Sequence, residues 1–134
     1  MIKKITVLLL VTIFSVQLFA VQKSKPLTVA EKSNFESTSR FDDVINFFKQ
    51  LKKISPNNVR IETLAKSIEG RDVPLVIMGK PLPRSPKDLK NDKRISVYIQ
   101  ANIHAGEVEG KEAIQMFARD MLLKDTPDYM KNIV

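Results

Sequence analysis

"RISVYIQANIHAGEVEGKEAIQMFARDMLLK", residues 94–124, carries two hydrophobic periods in succession. Ile95, Val97, Ile99 and Ala101 alternate with Ser96, Tyr98 and Gln100, the period of two expected of a strand. From about Val108 to Lys124 the apolar residues Ala113, Ile114, Phe117, Ala118, Met121 and Leu122 recur at the spacing of one helical face. Glu109 and Glu112 near the start and Lys124 at the end suit the helix dipole. Strand, short loop and helix form the repeating unit of an α/β fold. The loop falls just past the carboxyl end of the strand, where open α/β sheets build their sites.

Upstream, Phe41, Val44, Ile45, Phe48, Leu51 and Ile54 mark a helix over 41–54, with Ser39 and Asp42 as its capping pair. Ser55-Pro56-Asn57-Asn58 ends it. Val59–Ala65 alternates as a strand, and Val73–Met78 is a second, more continuously apolar one. Gly70 between them can take the positive φ of a tight reversal, so the two form a hairpin. Pro74 removes one ladder donor and places the start of the second strand near a sheet edge. Gly79–Lys93, with three prolines and many charges, reads as a long exposed connection. After the turn residues Asp125-Thr126-Pro127-Asp128, Lys131–Val134 reads as the opening of another strand.

The first twenty residues are set apart from this fold. Lys3 and Lys4 precede an apolar run from Ile5 to Phe14, and Ala20 offers a small residue for cleavage, the pattern of a signal peptide over 1–20. The expectation is an exported protein, periplasmic or secreted, that touches a membrane only if its leader stays uncleaved. Residues 21–40, rich in Lys, Ser and Thr, read as a linker or disordered lead-in. The domain proper is then 41–134.

Composition narrows the chemistry. The 134 residues are 43% apolar, enough for a small core. With no cysteine, neither a disulfide framework nor a thiolate metal site exists. The formal charge is +7, and losing Lys3 and Lys4 with a leader that holds no acidic residue leaves +5. The lysines are scattered and not interleaved with aromatics, so the basic balance reads as a solvated surface and not as a nucleic-acid site.

His104 is the single histidine, and Glu107 follows it by one turn. Imidazole nitrogen with carboxylate oxygen suits zinc, and a catalytic zinc takes three protein ligands plus water. Glu109 and Glu112 lie nearby, yet the helix dipole accounts for both without a metal. Gly106 and Gly110 need no reading beyond backbone freedom in a tight loop. No Gly-rich phosphate loop and no nucleophile elbow is present.

These residues resemble a known family. "NIHAGEVEG" followed by "KEA" and an amphipathic helix, with "SIEGRDVPLVIMG" upstream, resembles the amino-terminal part of a zinc carboxypeptidase of the carboxypeptidase A type. The resemblance runs from about Phe41 to Val134. It implies an α/β fold with a mixed sheet in three layers, of which this sequence holds the amino-terminal part. It also implies a zinc cofactor with His104 as first ligand and Glu107 as second, and hydrolysis of the peptide bond next to a free carboxyl terminus. The family's second histidine ligand, carboxylate-binding arginines, site tyrosine and general-base glutamate have no counterpart here, so no catalytic residue is assigned. Ala105-Gly106 stands where digestive members carry an arginine. The chain is therefore expected to be an incomplete copy, inactive alone. Two other readings accompany this one: a deacylase of N-acyl amino acids on the related zinc fold, and an exported noncatalytic binding module.

Overall fold

The computed structural model describes residues 25–124 and 129–134. The signal peptide expected over 1–20 and the turn expected at 125–128 lie outside the described residues. Along the chain run α1 (Val29–Lys32), α2 (Phe41–Ile54), β1 (Val59–Lys66), β2 (Asp72–Met78), α3 (Pro86–Lys90), α4 (Val108–Leu123) and a single 3-10 turn at Tyr129–Lys131. Helices and a two-stranded antiparallel sheet make this an α/β arrangement.

The core forms where the apolar stripe of α2 meets α4 and the hairpin. Phe47, Phe48 and Leu51 bury against Ala118, flanked by Val44, Ile61, Val76, Met78, Leu122 and Leu123. The Phe47 and Phe48 rings meet edge to face with centroids 5.8 Å apart, a favoured aromatic geometry. Leu51 is wholly excluded from solvent. Its truncation to alanine should cost about 2–5 kcal/mol.

The hairpin matches its sequence reading. Val59 pairs with Met78 and Lys66 with Asp72, with a register irregularity between Thr63 and Ala65 where Pro74 faces Thr63. The prolyl ring has no N–H to give, so the ladder breaks its regular spacing there. Gly70 takes φ 75°, the left-handed turn conformation anticipated for it.

Four expectations are corrected. Residues 21–40 do not behave as a disordered lead-in from Lys25 onward. Thr28 caps α1 through a Thr-x-x-Glu capping box with Glu31, and Thr28, Ala30 and Ser39 are buried. This strap, residues 25–39, lies along α4. The cap of α2 is also displaced by one residue: the Arg40 N–H donates to Asp43 Oδ2 at 2.8 Å, while Ser39 turns inward instead of capping. Third, the connection 79–93 contains α3, whose Ser85 and Arg84 amides donate to Asp88.

The fourth correction concerns Arg94–Ala101, which forms no regular strand. A strand needs a partner ladder. Among the described residues only the end of the chain supplies one, in a parallel bridge of Ile95 with Ile133. The Ile95 and Val97 amides donate to the carbonyls of Asn132 and Val134 at 2.9 and 2.8 Å. The strand expected over 131–134 is thus reduced to this one bridge, and Lys131 belongs to the 3-10 turn. Arg94 anchors the segment's start: it donates to the carbonyls of Pro81 and Met130 and pairs with Asp92, whose carboxyl that guanidinium holds down at about 2. Gly79 lets these strands of chain converge, since a Cβ there would meet the Pro81 carbonyl at 2.9 Å and Val134 Cγ2 at 3.1 Å.

The helix α4 keeps its expected span but turns a different face inward. Glu112, Gln115, Ala118 and Arg119 are buried, while Ala113 and Phe117 of the apolar stripe stay exposed. Buried polar groups persist when their hydrogen-bonding capacity is met, and the strap meets most of it, leaving Gln115 Oε1 without a partner. Glu112 accepts from the Ser39 amide, from Thr38 Oγ1 at 3.0 Å and from the Ala30 amide at 3.4 Å. Gln115 Nε2 donates to Ser39 Oγ at 3.3 Å. Arg119 donates to the Pro26 carbonyl at 3.1 Å and to Glu31 at 2.5 Å.

Burial works to raise the Glu112 carboxyl, but hydrogen bonds from Ser39, Thr28 and Thr38 outweigh it and hold the group below its ordinary 4.5. Glu31 is depressed likewise, desolvation being outweighed by Arg119, Thr28 and Lys25. A carboxyl depressed on folding adds stability that is complete above its unfolded value and lost as pH falls through its folded one. Thermal melts followed by circular dichroism should therefore lose stability as the pH drops below about 4.5. Glu112→Gln should lower the neutral-pH melting temperature and flatten part of that acid dependence.

Candidate metal centre

Residues 102–107 leave the segment Arg94–Ala101 and enter α4 in a compact turn. Asn102 takes φ 59°, a left-handed conformation that asparagine tolerates better than most residues. The Glu107 amide then donates to the His104 carbonyl at 3.1 Å and the Val108 amide to the Gly106 carbonyl at 3.0 Å. This winding brings residues 104 and 107 to the same side.

Their side chains meet. His104 Nδ1 lies 2.6 Å from Glu107 Oε1, and the His104 amide approaches Glu107 Oε2 at 3.4 Å. The two side chains are 78% and 50% exposed. Two ligands on one tetrahedral zinc stand about 3.4 Å apart, given zinc–ligand distances near 2.1 Å. The pair is therefore a hydrogen-bonded couple that must open by roughly 0.8 Å to admit an ion between them. Both side chains have the solvent freedom to do so, and the donor set of imidazole and carboxylate is one zinc accepts.

The neighbouring carboxylates do not complete the site. Glu112 is committed to the strap, so its early position on α4 serves packing and not coordination. Glu109 borders a cavity of about 460 Å³ that Glu107 also lines, together with Ile99, Asn102, Ile103 and Phe117. Among the described residues no group of three or more His, Cys, Asp or Glu side chains comes together to hold a metal.

Asn102 is a site residue that the sequence reading passed over. Its Oδ1 is buried beside the His104–Glu107 turn without a hydrogen-bond partner. An asparagine at the end of the expected strand, two residues before His104, was the available signal, since Asn is enriched at positive φ.

The profile of the zinc carboxypeptidase family matches residues 44–134, well over half of the chain. The chain belongs to the zinc carboxypeptidase family. A search of curated proteins gave no match. The matched range contains α2, the hairpin, the His104–Glu107 loop and α4, the same ordered set that carried the resemblance in the sequence. A zinc carboxypeptidase assignment makes the chain hydrolase-like and associates it with zinc and with peptide substrates. It leaves the strap, residues 25–39, ahead of the match.

The turn geometry gives a direct test. Asn102→Gly should fold with nearly unchanged stability, because glycine takes the left-handed conformation freely, whereas Asn102→Ala should lose about 1 kcal/mol. Denaturant titration of the two variants side by side reads the difference.

Proposed function

We propose that residues 102–107 form the amino-terminal ligand loop of a zinc-dependent carboxypeptidase site, with His104 and Glu107 as two of its zinc ligands. The observation that carries this reading is the convergence of His104 Nδ1 and Glu107 Oε1 at 2.6 Å in the turn ahead of α4. The family match supports it, because the loop lies inside the matched residues. The substrate class is then a peptide or protein with a free carboxyl terminus.

Zinc, when bound, would polarise a scissile carbonyl and lower the pKa of a bound water to about 7. This chain's own part is to present one nitrogen and one oxygen ligand from a turn whose two ends are fixed in the fold. The direct hydrogen bond between the two ligands keeps the carboxylate turned toward the imidazole before metal arrives. Neither Glu109 nor Glu112 is assigned a catalytic role. In the same reading the hairpin, the segment Arg94–Ala101 and the helices open a mixed-sheet, three-layer α/β domain. Residues 1–20 would direct the protein to the periplasm or out of the cell.

Isothermal titration of the chain with zinc tests the assignment. His104→Ala and Glu107→Gln should each weaken binding at least about tenfold, and Glu109→Gln should leave it unchanged. Zinc affinity that ignores both ligand substitutions would sink the reading.

A further inference from the structure

We propose that Glu112 is a positioning residue for the ligand loop, acting through the strap to fix the start of α4. This inference rests on His104 and Glu107 being the zinc ligands, and adds to it the device that holds Glu107 in place. Glu107 stands immediately before α4 as its N-cap residue, and its side chain makes no capping bond. Whatever sets the direction of the helix therefore sets the position of the ligand.

The apolar core holds α4 toward its carboxyl end, at Ala118 with Leu122 and Leu123, where the helix meets Phe47, Phe48 and Leu51. From Ala118 back to Glu107 is about 16 Å of helix at roughly 1.5 Å per residue. A tilt of about 5° around Ala118, the core contact nearest the loop, carries the helix start by more than 1 Å over this length. Metal–ligand distances tolerate only about 0.2 Å. Contacts clustered at that end hold the helix start only through a long lever, and fixing it needs a second point toward the loop.

Glu112 supplies the second point, and it is the strap anchor nearest the loop. Its carboxylate takes the Ser39 amide, the Thr38 hydroxyl and the Ala30 amide. Ser39 is followed directly by Arg40, the N-cap of α2, so the same clasp ties the ligand end of α4 to the start of the other core helix. The remaining strap anchors sit further along: Gln115 on Ser39, Arg119 on Pro26 and Glu31, and Asp120 on Lys25 at 3.0 Å. Loss of a contact at Arg119 loosens the far end of the helix. Loss of the Glu112 contacts frees the end that carries Glu107.

Cobalt(II), added alone to the whole chain as a spectroscopic substitute for zinc, reads both affinity and ligand geometry. Glu112→Gln should weaken cobalt binding about tenfold and alter the visible ligand-field band, and Thr38→Val should do so by a few-fold. Glu31→Gln, which removes the charged one of Arg119's two partners in the same strap and leaves it the Pro26 carbonyl, should lower the melting temperature while leaving affinity and band unchanged. Wild-type affinity and band in Glu112→Gln would overturn the proposal, as would equal metal effects of Glu112→Gln and Glu31→Gln at equal loss of melting temperature. Should Glu112→Gln fail to fold, Thr38→Val decides the matter by the same readouts. If His104→Ala keeps full cobalt affinity, the zinc reading itself falls, and amide exchange then decides the positioning role. Exchange over residues 104–110 should quicken in Glu112→Gln or Thr38→Val and stay as in the parent in Glu31→Gln, and no difference among them would overturn it.

Discussion

The carboxylate of Glu112 is withdrawn from water, and the way α4 lies in the fold follows from the donors that meet it. A buried carboxylate without partners costs several kcal/mol, so the helix can turn this face inward only where hydrogen-bond donors are already in place. Ser39, Thr38 and Ala30 provide them, and Gln115 and Arg119 extend the same seam along the helix. The apolar contact of Ala118 with α2 is compatible with this orientation and completes it. Polar complementarity sets the rotation of α4, and hydrophobic burial makes that rotation stable.

That division explains what could be read from the sequence. The spans of α2 and α4 and both strands of the hairpin were legible because periodicity and turn residues act locally. Gly70 needed nothing but its own backbone. His104 and Glu107 were legible as a pair because one turn of chain suffices to bring them together. The inward face of α4 was not legible, because Ala113, Ile114 and Phe117 make the better apolar stripe, and only a partner distant in sequence makes Glu112 and Arg119 good buried residues. The strap was hidden for the same reason: its composition is that of a linker, although the Thr28–Glu31 capping box was written in it.

The apolar stripe left outside α4 adjoins the segment Arg94–Ala101. Ile99, Ile103, Val108 and Phe117 are exposed, and the cavity between helix and segment lies alongside Glu107. Hydrophobic side chains here stand beside the polar His104–Glu107 pair. The His104–Glu107 pair is thus set at a border, with solvent on one side and apolar surface on the other. In such a setting an ion's electrostatic influence falls off less steeply toward the apolar side than toward water.

The strap also separates two meanings of a domain boundary. The family match begins at residue 44, inside α2, and so marks where this chain shares a sequence pattern with other zinc carboxypeptidases. The packed unit reaches further back, into the strap, because Glu112, Gln115 and Arg119 inside the matched region each have partners outside it. Cutting at the sequence boundary would take the Ser39, Thr38 and Ala30 donors from the Glu112 carboxylate and leave Gln115 and Arg119 only their partners within α4, Lys111 and Asp120. The segment is thus a piece of the interior supplied from the periphery, and the evolutionary unit and the packed unit of this protein have different edges.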